Sequence, residues 1–374
     1  MELFNMVAPC LFGTESIAAG ELRRMGIENI QVQNGRVLFS GDANILARAN
    51  INSRFCERIY INVGEFEAES FEELFQGVKA LEWERYIGKE DAFPVNGWSI
   101  DSALHSIPDC QKIVKKAMVE RLKNKYSVSW FNETGCEYKI RFSILKNHVT
   151  LMIDTSGEPL HKRAYRRNST EAPIKETLAA SMCDLARIYP DTVIYDPFCG
   201  SGTILIEAAL MATKTAPGLR RYFAAERFGF IDAHVWQSER LRATDLIQHN
   251  IDFKAYGSDI DPKAVELTLA NAKKAGVEKY ISVRQSDVAD FKMQDGRTLV
   301  VTNPPYGERL LDLKQAEQLY KTMGQVFIKQ DFKKYYIISP HDEFETFFGR
   351  KADKKRKLYN GMLKCQLFMY NGGK

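Results

Sequence analysis

The alternation of apolar and polar positions divides the chain into stretches of different character. Near the start, apolar runs of strand length alternate with helical patterns and turn residues. Phe4–Pro9 reads as a strand, and Thr14 begins a helix through Arg24 that Gly26 closes. Asn34-Gly35 predicts a hairpin turn into a strand at 36–40. A helix near 45–50 and a strand at 56–63 complete a βαββαβ-like unit over residues 1–66. The pattern then recurs with different residues over 67–155. It predicts a helix at 70–81, a strand at 98–104, a long helix at 108–126, and strands at 137–145 and 148–154 joined by Lys146-Asn147. A polar, Arg-rich segment follows. From about residue 168 strands and helices alternate to the end, the pattern of an α/β doubly wound sheet.

Composition narrows the possibilities. No run is long and apolar enough to span a bilayer. Met1-Glu-Leu-Phe-Asn5 lacks a basic segment leading into an apolar one, so a cytoplasmic protein is expected. The seven cysteines are scattered without a CxxC or Cys/His cluster, which predicts reduced thiols and no metal site. A net charge of +4 permits a nucleic-acid partner without demonstrating one. Local clusters say more. The helix at 108–126 carries Lys112, Lys115 and Lys116, the linker carries Arg163, Arg166 and Arg167, and a basic run spans 351–357. The first two clusters are the candidate phosphate-tracking surfaces. The last is equally readable as a solvated loop.

The chemistry concentrates in two motifs. The first is Asp196-Pro-Phe-Cys-Gly-Ser-Gly-Thr203, between a short apolar strand and a helix. Open α/β sheets bind nucleotides at such a turn, where glycine lets the backbone approach a ligand. Asp196, Cys199, Gly200, Gly202 and Thr203 are therefore candidate cofactor contacts, with Cys199 serving structure rather than nucleophilic attack. The second is Asn303-Pro-Pro-Tyr306 at the end of another strand. An amine conjugated to a base is a poor nucleophile. The Asn303 side-chain oxygen and the Pro304 carbonyl supply two acceptors for its N–H groups, Pro304 and Pro305 stiffen the turn, and Tyr306 offers a ring for stacking. In this reading the ring works and the hydroxyl is dispensable. Between the motifs, Asp259 is placed to accept ribose hydroxyls, Ile260 to pack on an adenine face, and Asp287 to accept from the adenine amine. Asp261 is the rival to Asp259, as a helix cap. Together the motifs predict an S-adenosylmethionine-dependent amino-methyltransferase.

The two motifs, with Asp154-Thr-Ser-Gly-Glu-Pro-Leu-His-Lys-Arg-Ala-Tyr-Arg166 and the insertion containing Ala216-Pro-Gly-Leu219, resemble the THUMP-containing guanine-N2 RNA methyltransferases. The resemblance is closest to the bacterial 23S ribosomal RNA enzymes in a short form with one methyltransferase unit, and it covers nearly the whole chain. It implies a ferredoxin-like domain at 1–66, a THUMP RNA-binding domain at 67–155, a linker at 156–172 and a class I (Rossmann-like) methyltransferase domain at 173–374. That domain is expected to hold seven strands, one antiparallel, with residues 365–370 in a closing hairpin. The implied substrate is guanine N2 in 23S ribosomal RNA. Transfer RNA guanine, DNA adenine N6 and a non-catalytic RNA-binding module are the alternatives. The resemblance implies cofactor contacts at Asp196, Phe198, Gly200, Asp259, Ile260, Asp287 and Asn303, and residues 172–177 resemble a segment that closes over the cofactor. One departure is Ala164, where relatives often carry glycine, and little consequence is expected of it.

Overall fold

A computed structural model describes residues 3–166, 174–293, 298–306, 312–330 and 334–371. The first half contains β1 (Phe4–Pro9), α1 (Glu15–Arg24), β2 (Gln31–Gln33), β3 (Arg36–Gly41), α2 (Ala43–Asn52), β4 (Tyr60–Glu67), α3 (Phe71–Ala80), β5 (Val95–Ile100), α4 (Ile107–Tyr126), β6 (Ile140–Leu145) and β7 (His148–Asp154). Local signals set many of these bounds. Ser70 and Glu73 form a reciprocal capping box at the start of α3. Lys146 and Asn147 adopt φ of 51° and 67°, the left-handed pair that a two-residue hairpin turn requires.

These elements form one seven-stranded sheet in the order β2-β3-β1-β4-β7-β6-β5. The two units expected from sequence are thus halves of a continuous sheet. β4 joins them, pairing with β1 through Met6↔Ile61 and Val7↔Tyr60 and with β7 from Tyr60↔Asp154 to Glu67↔His148. That double pairing explains why the strand lies at 60–67 rather than 56–63, while Cys56 makes only an isolated bridge to Cys10. Parallel register with β6 (Val95↔Ile140) likewise places β5 at 95–100 rather than 98–104.

The second half contains α5 (Glu176–Ala186), β8 (Val193–Asp196), α6 (Thr203–Ala212), α7 (Ala233–Asp245), β9 (Lys254–Asp259), α8 (Pro262–Ala275), β10 (Ile281–Gln285), β11 (Thr298–Thr302), α9 (Leu313–Ile328), β12 (Lys334–Ser339), α10 (Phe344–Phe348), β13 (Lys354–Asn360) and β14 (Leu363–Tyr370). Its sheet runs β10-β9-β8-β11-β12-β14-β13. β14 alone runs against the other strands of this sheet, as expected for the closing hairpin. Strand order reverses between β8 and β11, so the carboxyl ends of these two strands define the crevice where open α/β sheets bind ligands.

The insertion between α6 and β9 does more than lengthen the chain. Phe223, Ala225, Phe228, Ile231 and Trp236 are buried in the same core as Phe4, Leu46 and Phe142 of the N-terminal sheet. Phe228 stacks on Tyr138 with centroids 4.4 Å apart. Arg48 of α2 forms a bidentate pair with Glu239 of α7 at 2.7 and 2.9 Å. The C-terminal sheet is thereby bolted to the N-terminal unit through shared apolar burial, the dominant favourable contribution to such an interface.

Candidate active site

β8 delivers Asp196 to the switch point with 1% of its surface exposed. Its Oδ1 accepts from the Thr302 hydroxyl at 2.6 Å and from the Phe198 amide at 3.2 Å. Thr302 directly precedes Asn303, so this bond holds the ends of the two motif-bearing strands together. Burial pushes the Asp196 carboxyl up to about 7, against the hydrogen bonds from Thr302 and Phe198 that lower it.

The glycine-rich turn is fixed from three sides. Its backbone is left-handed at Gly200 (φ 52°) and Gly202 (φ 78°). The Gly200 amide donates to Asp259 Oδ2 at 2.9 Å, and the Cys199 amide donates to the Ser258 carbonyl at 3.0 Å. From α8, the Thr268 hydroxyl donates to the Gly200 carbonyl at 2.9 Å and the Asn271 amide to the Ser201 carbonyl at 3.0 Å. Gly202 also has a packing reason. A Cβ there would lie 2.6 Å from Thr268 Cγ2. Cys199 is buried, and its thiol is raised well above the ordinary range chiefly by desolvation and then by Asp196, which disfavours the thiolate that a nucleophile needs.

Asp259 ends β9 half-buried, and its Oδ1 accepts from the Asp261 amide at 3.0 Å. Asp261 instead caps α8, accepting from the Lys263 amide. Asp261 thus takes the helix-cap role, while Asp259 ties the strand end to the glycine turn. Ile260 between them is 67% exposed, an apolar side chain presented to solvent at the strand end. Asp287 is exposed at the third strand end and caps a short 3₁₀ turn through the Ala289 amide at 2.8 Å. A carboxylate with accepting capacity left, a bare aliphatic side chain and a second exposed acid fit a ribose and an adenine. No cluster of metal-ligating side chains occurs among the described residues.

At the end of β11, Asn303 and Pro305 are partly exposed and Pro304 is buried. Tyr306 is only 7% exposed, and its hydroxyl accepts from Asn360 Nδ2 at 2.9 Å. The hydroxyl, treated as dispensable from sequence, has a partner that anchors the ring.

The basic residues separate into two classes. Lys112 and Lys116 are exposed on α4, whereas Lys115 is tied to Glu133 at 2.5 Å and lies over the Phe93 ring at 3.4 Å. Arg163 is not on a surface. Its side chain is 2% exposed, donates to the carbonyls of Leu160 and Arg54 at 2.6 Å each, and pairs with the fully buried Glu207 of α6 at 3.4 Å. Arg166 is also turned inward, to Glu176 at 2.9 Å and to the Thr203 hydroxyl at 3.0 Å beside the glycine turn. Arg163 and Arg166, expected to track phosphates, thus lock the linker onto both halves, their desolvation offset by buried carboxylates and carbonyls. Arg167 and residues 172–173 of the expected closing segment lie outside the described residues. The 351–357 run is only partly a loop, at 351–353. Its second part forms β13 at the sheet edge, where lysines discourage edge-to-edge pairing. Ala164, expected to be inconsequential, sits at φ 67°, where a Cβ is strained and glycine is not.

Sequence reasoning missed Thr302, Thr268, Asn271 and Asn360. Thr302 was detectable as the residue before Asn303, and Thr268 and Asn271 by their three-residue spacing on one helix. Asn360 carried only a turn signal, from Asn360-Gly361, and nothing in the sequence linked it to Tyr306.

Comparison with known proteins agrees with this architecture. Residues 163–368 match the RMKL-like methyltransferase domain, 5–60 the RlmL ferredoxin-like domain and 68–154 the THUMP domain. The Bacillus subtilis protein YpsC, provisionally named an RNA methyltransferase, is 43% identical over 99% of this chain and 96% of its own length. The ribosomal RNA large subunit methyltransferase K/L of Shewanella amazonensis is 33% identical over 98% of this chain, which spans about half (53%) of that relative. Among solved structures, a possible methylase from Clostridium difficile superposes with a TM-score of 0.97 at 44% identity, covering 100% of this chain and 99% of the other. A protein provisionally called a methyltransferase and crystallised with SAH gives 0.95 at 42%, covering 100% and 99%. A Listeria monocytogenes protein described as an N6-adenine-specific DNA methylase gives 0.94 at 45%, covering 100% and 97%. With its catalytic sheet, glycine turn and N-terminal modules all matched, the chain belongs to the RMKL-like methyltransferase family.

Proposed function

We propose that this protein methylates the exocyclic N2 of a guanine in 23S ribosomal RNA, using S-adenosylmethionine as the methyl donor. The observation that carries the reading is the 2.6 Å Thr302–Asp196 bond, which sets Asn303 beside the glycine turn. Asp259, Ile260 and Asp287 would hold the cofactor's adenosine, and the backbone from Asp196 to Gly202 its amino-acid end. When bound, S-adenosylmethionine supplies an electrophilic methyl group. The Asn303 side-chain oxygen and the Pro304 carbonyl accept the two N–H groups of the target amine, fixing its nitrogen for attack. Displacement of this kind gains most from alignment, so a dedicated general base is not required. The THUMP match, together with Lys112 and Lys116, supports RNA capture by the N-terminal unit. The K/L relatives named for large-subunit ribosomal RNA support the substrate class.

The test is transfer of labelled methyl from S-adenosylmethionine to purified large-subunit RNA, transfer RNA and duplex DNA, followed by nucleoside analysis. N2-methylguanosine in large-subunit RNA is expected. Asn303→Ala should lose most turnover while retaining RNA binding, and Cys199→Ser should retain methylation. Label in DNA adenine, or in transfer RNA alone, would overturn the substrate assignment. An active Asn303→Ala beside a dead Cys199→Ser that still binds cofactor would overturn the amine chemistry.

A further inference from the structure

We propose that Asn360, at the tip of the β13–β14 hairpin, is a positioning residue for the methyl-acceptor site, and that the segment at 12–16, which leads into the first turn of α1, braces it there. This inference rests on the amine-methylation reading above.

The hairpin turns tightly. Asn360 pairs with Leu363 across a two-residue loop whose first member, Gly361, has φ of 68°. That geometry fixes the Asn360 backbone and aims its amide at Tyr306, where Nδ2 donates to the hydroxyl at 2.9 Å. A phenol ring rotates about two side-chain torsions. Packing limits the swing, and a hydrogen bond at the far end fixes the angle. Tyr306 follows Asn303-Pro-Pro, so the setting of its ring defines one wall beside the acceptors at Asn303 and Pro304.

The hairpin is itself braced by the other half of the molecule. Arg356 of β13 donates through Nε to the Gly13 carbonyl and through Nη2 to the Ser16 hydroxyl, both at 2.9 Å. The Phe12 ring meets Tyr359 edge-on with centroids 6.1 Å apart. The contact is close enough that a Cβ on Gly13 would fall 2.4 Å from the Lys357 carbonyl oxygen. The path from the N-terminal sheet to Tyr306 therefore runs through contiguous packing and hydrogen bonds: Phe12–Ser16, Arg356–Tyr359, Asn360, Tyr306. The unit assigned to RNA capture contributes structurally to the acceptor site instead of merely tethering substrate near it.

The experiment compares Asn360→Ala, Asn360→Asp, Tyr306→Phe and the double variant Asn360→Ala/Tyr306→Phe. It measures single-turnover methyl transfer, the RNA concentration dependence, cofactor affinity and thermal midpoint. Asn360→Ala and Tyr306→Phe should each slow transfer about five- to tenfold, the scale of one lost hydrogen bond. The double variant should be no slower than either single change, since both remove the same bond. Asn360→Asp should recover most of the rate, its carboxylate accepting from the phenol. Cofactor affinity and midpoint should stay near wild type, which a purely structural role for Asn360 would not predict. Wild-type transfer by Asn360→Ala, multiplying losses in the double variant, or parallel loss of cofactor affinity would each overturn the proposal. A wild-type enzyme that methylates no RNA amine would instead defeat the functional reading beneath it.

Discussion

Replacing Arg163 separates two opposed accounts of the linker. The guanidinium is nearly sealed from solvent (2% exposed) against a carboxylate at 0%. Arg163→Met fills much of the aliphatic volume but, among the described residues, leaves Glu207 with the hydrogen bond from the Tyr165 hydroxyl at 2.9 Å and the more distant charge of Arg54. It also strips the carbonyls of Leu160 and Arg54 of their 2.6 Å donors. Breaking a buried ion pair from one side costs about 3–5 kcal/mol, mostly the penalty of the orphaned charge. The lost carbonyl bonds fall within that range rather than adding to it. The apparent melting midpoint should fall by roughly 4–6 °C, because the unfolding entropy that divides this cost grows with chain length. Adding Glu207→Gln should recover a substantial part, because the orphaned charge is gone. The assay pairs thermal denaturation of both variants with RNA binding across a salt series. Unchanged stability with weaker, less salt-dependent RNA binding would refute this reasoning and restore Arg163 as a phosphate contact.

Four further outcomes are expected. Asp259→Ala should weaken S-adenosylmethionine binding by roughly 1–3 kcal/mol, through lost ribose acceptance and a freed Gly200 amide; unchanged affinity by calorimetry would shift the ribose role to Asp261. Charge reversal at the exposed Lys112 and Lys116 should weaken RNA binding and lower the log–log salt slope by about 1–2, with cofactor binding intact; no change in slope would make this face of α4 merely solvated. Ala164→Gly should stabilise the protein by about 0.5–1 kcal/mol, relief of left-handed strain exceeding the added flexibility of the unfolded chain; a loss of stability in urea titration would count against strain at that residue. Burial alone would raise the Glu57 carboxyl, but hydrogen bonds from His161 and Thr177 and the charge of Lys175 outweigh it and hold it down to about 2. A depressed carboxyl stabilises fully above its unfolded value near 4.5 and loses that contribution as pH falls toward 2. The stability gap between wild type and Glu57→Gln should thus be about 2–3 kcal/mol above pH 4.5 and shrink below it; a pH-independent gap would rule out the linkage.

Much of the architecture was present in local patterning. Hairpin turns such as Lys146-Asn147, the helix begun after Ser70 and the closing strand near 365–370 follow from backbone preferences and side-chain period, which act over a few residues. The same holds for the candidate site. The glycine turn and Asn303-Pro-Pro-Tyr306 are short, chemically specific strings, and topology only had to bring their strands side by side. What sequence could not decide was the fate of long or polar side chains whose partners lie far along the chain. Arg163 looks like a phosphate contact until Glu207, 44 residues on, is seen beneath it. Asn360 looks like an ordinary turn residue until the β13–β14 hairpin carries it to Tyr306, 54 residues back. The two N-terminal units look separate until β4 pairs on both sides and makes them one sheet. In each case the sequence determined which groups were available, while tertiary packing determined whether a charge or amide met water or another side chain, because that depends on distances between residues that no local period encodes.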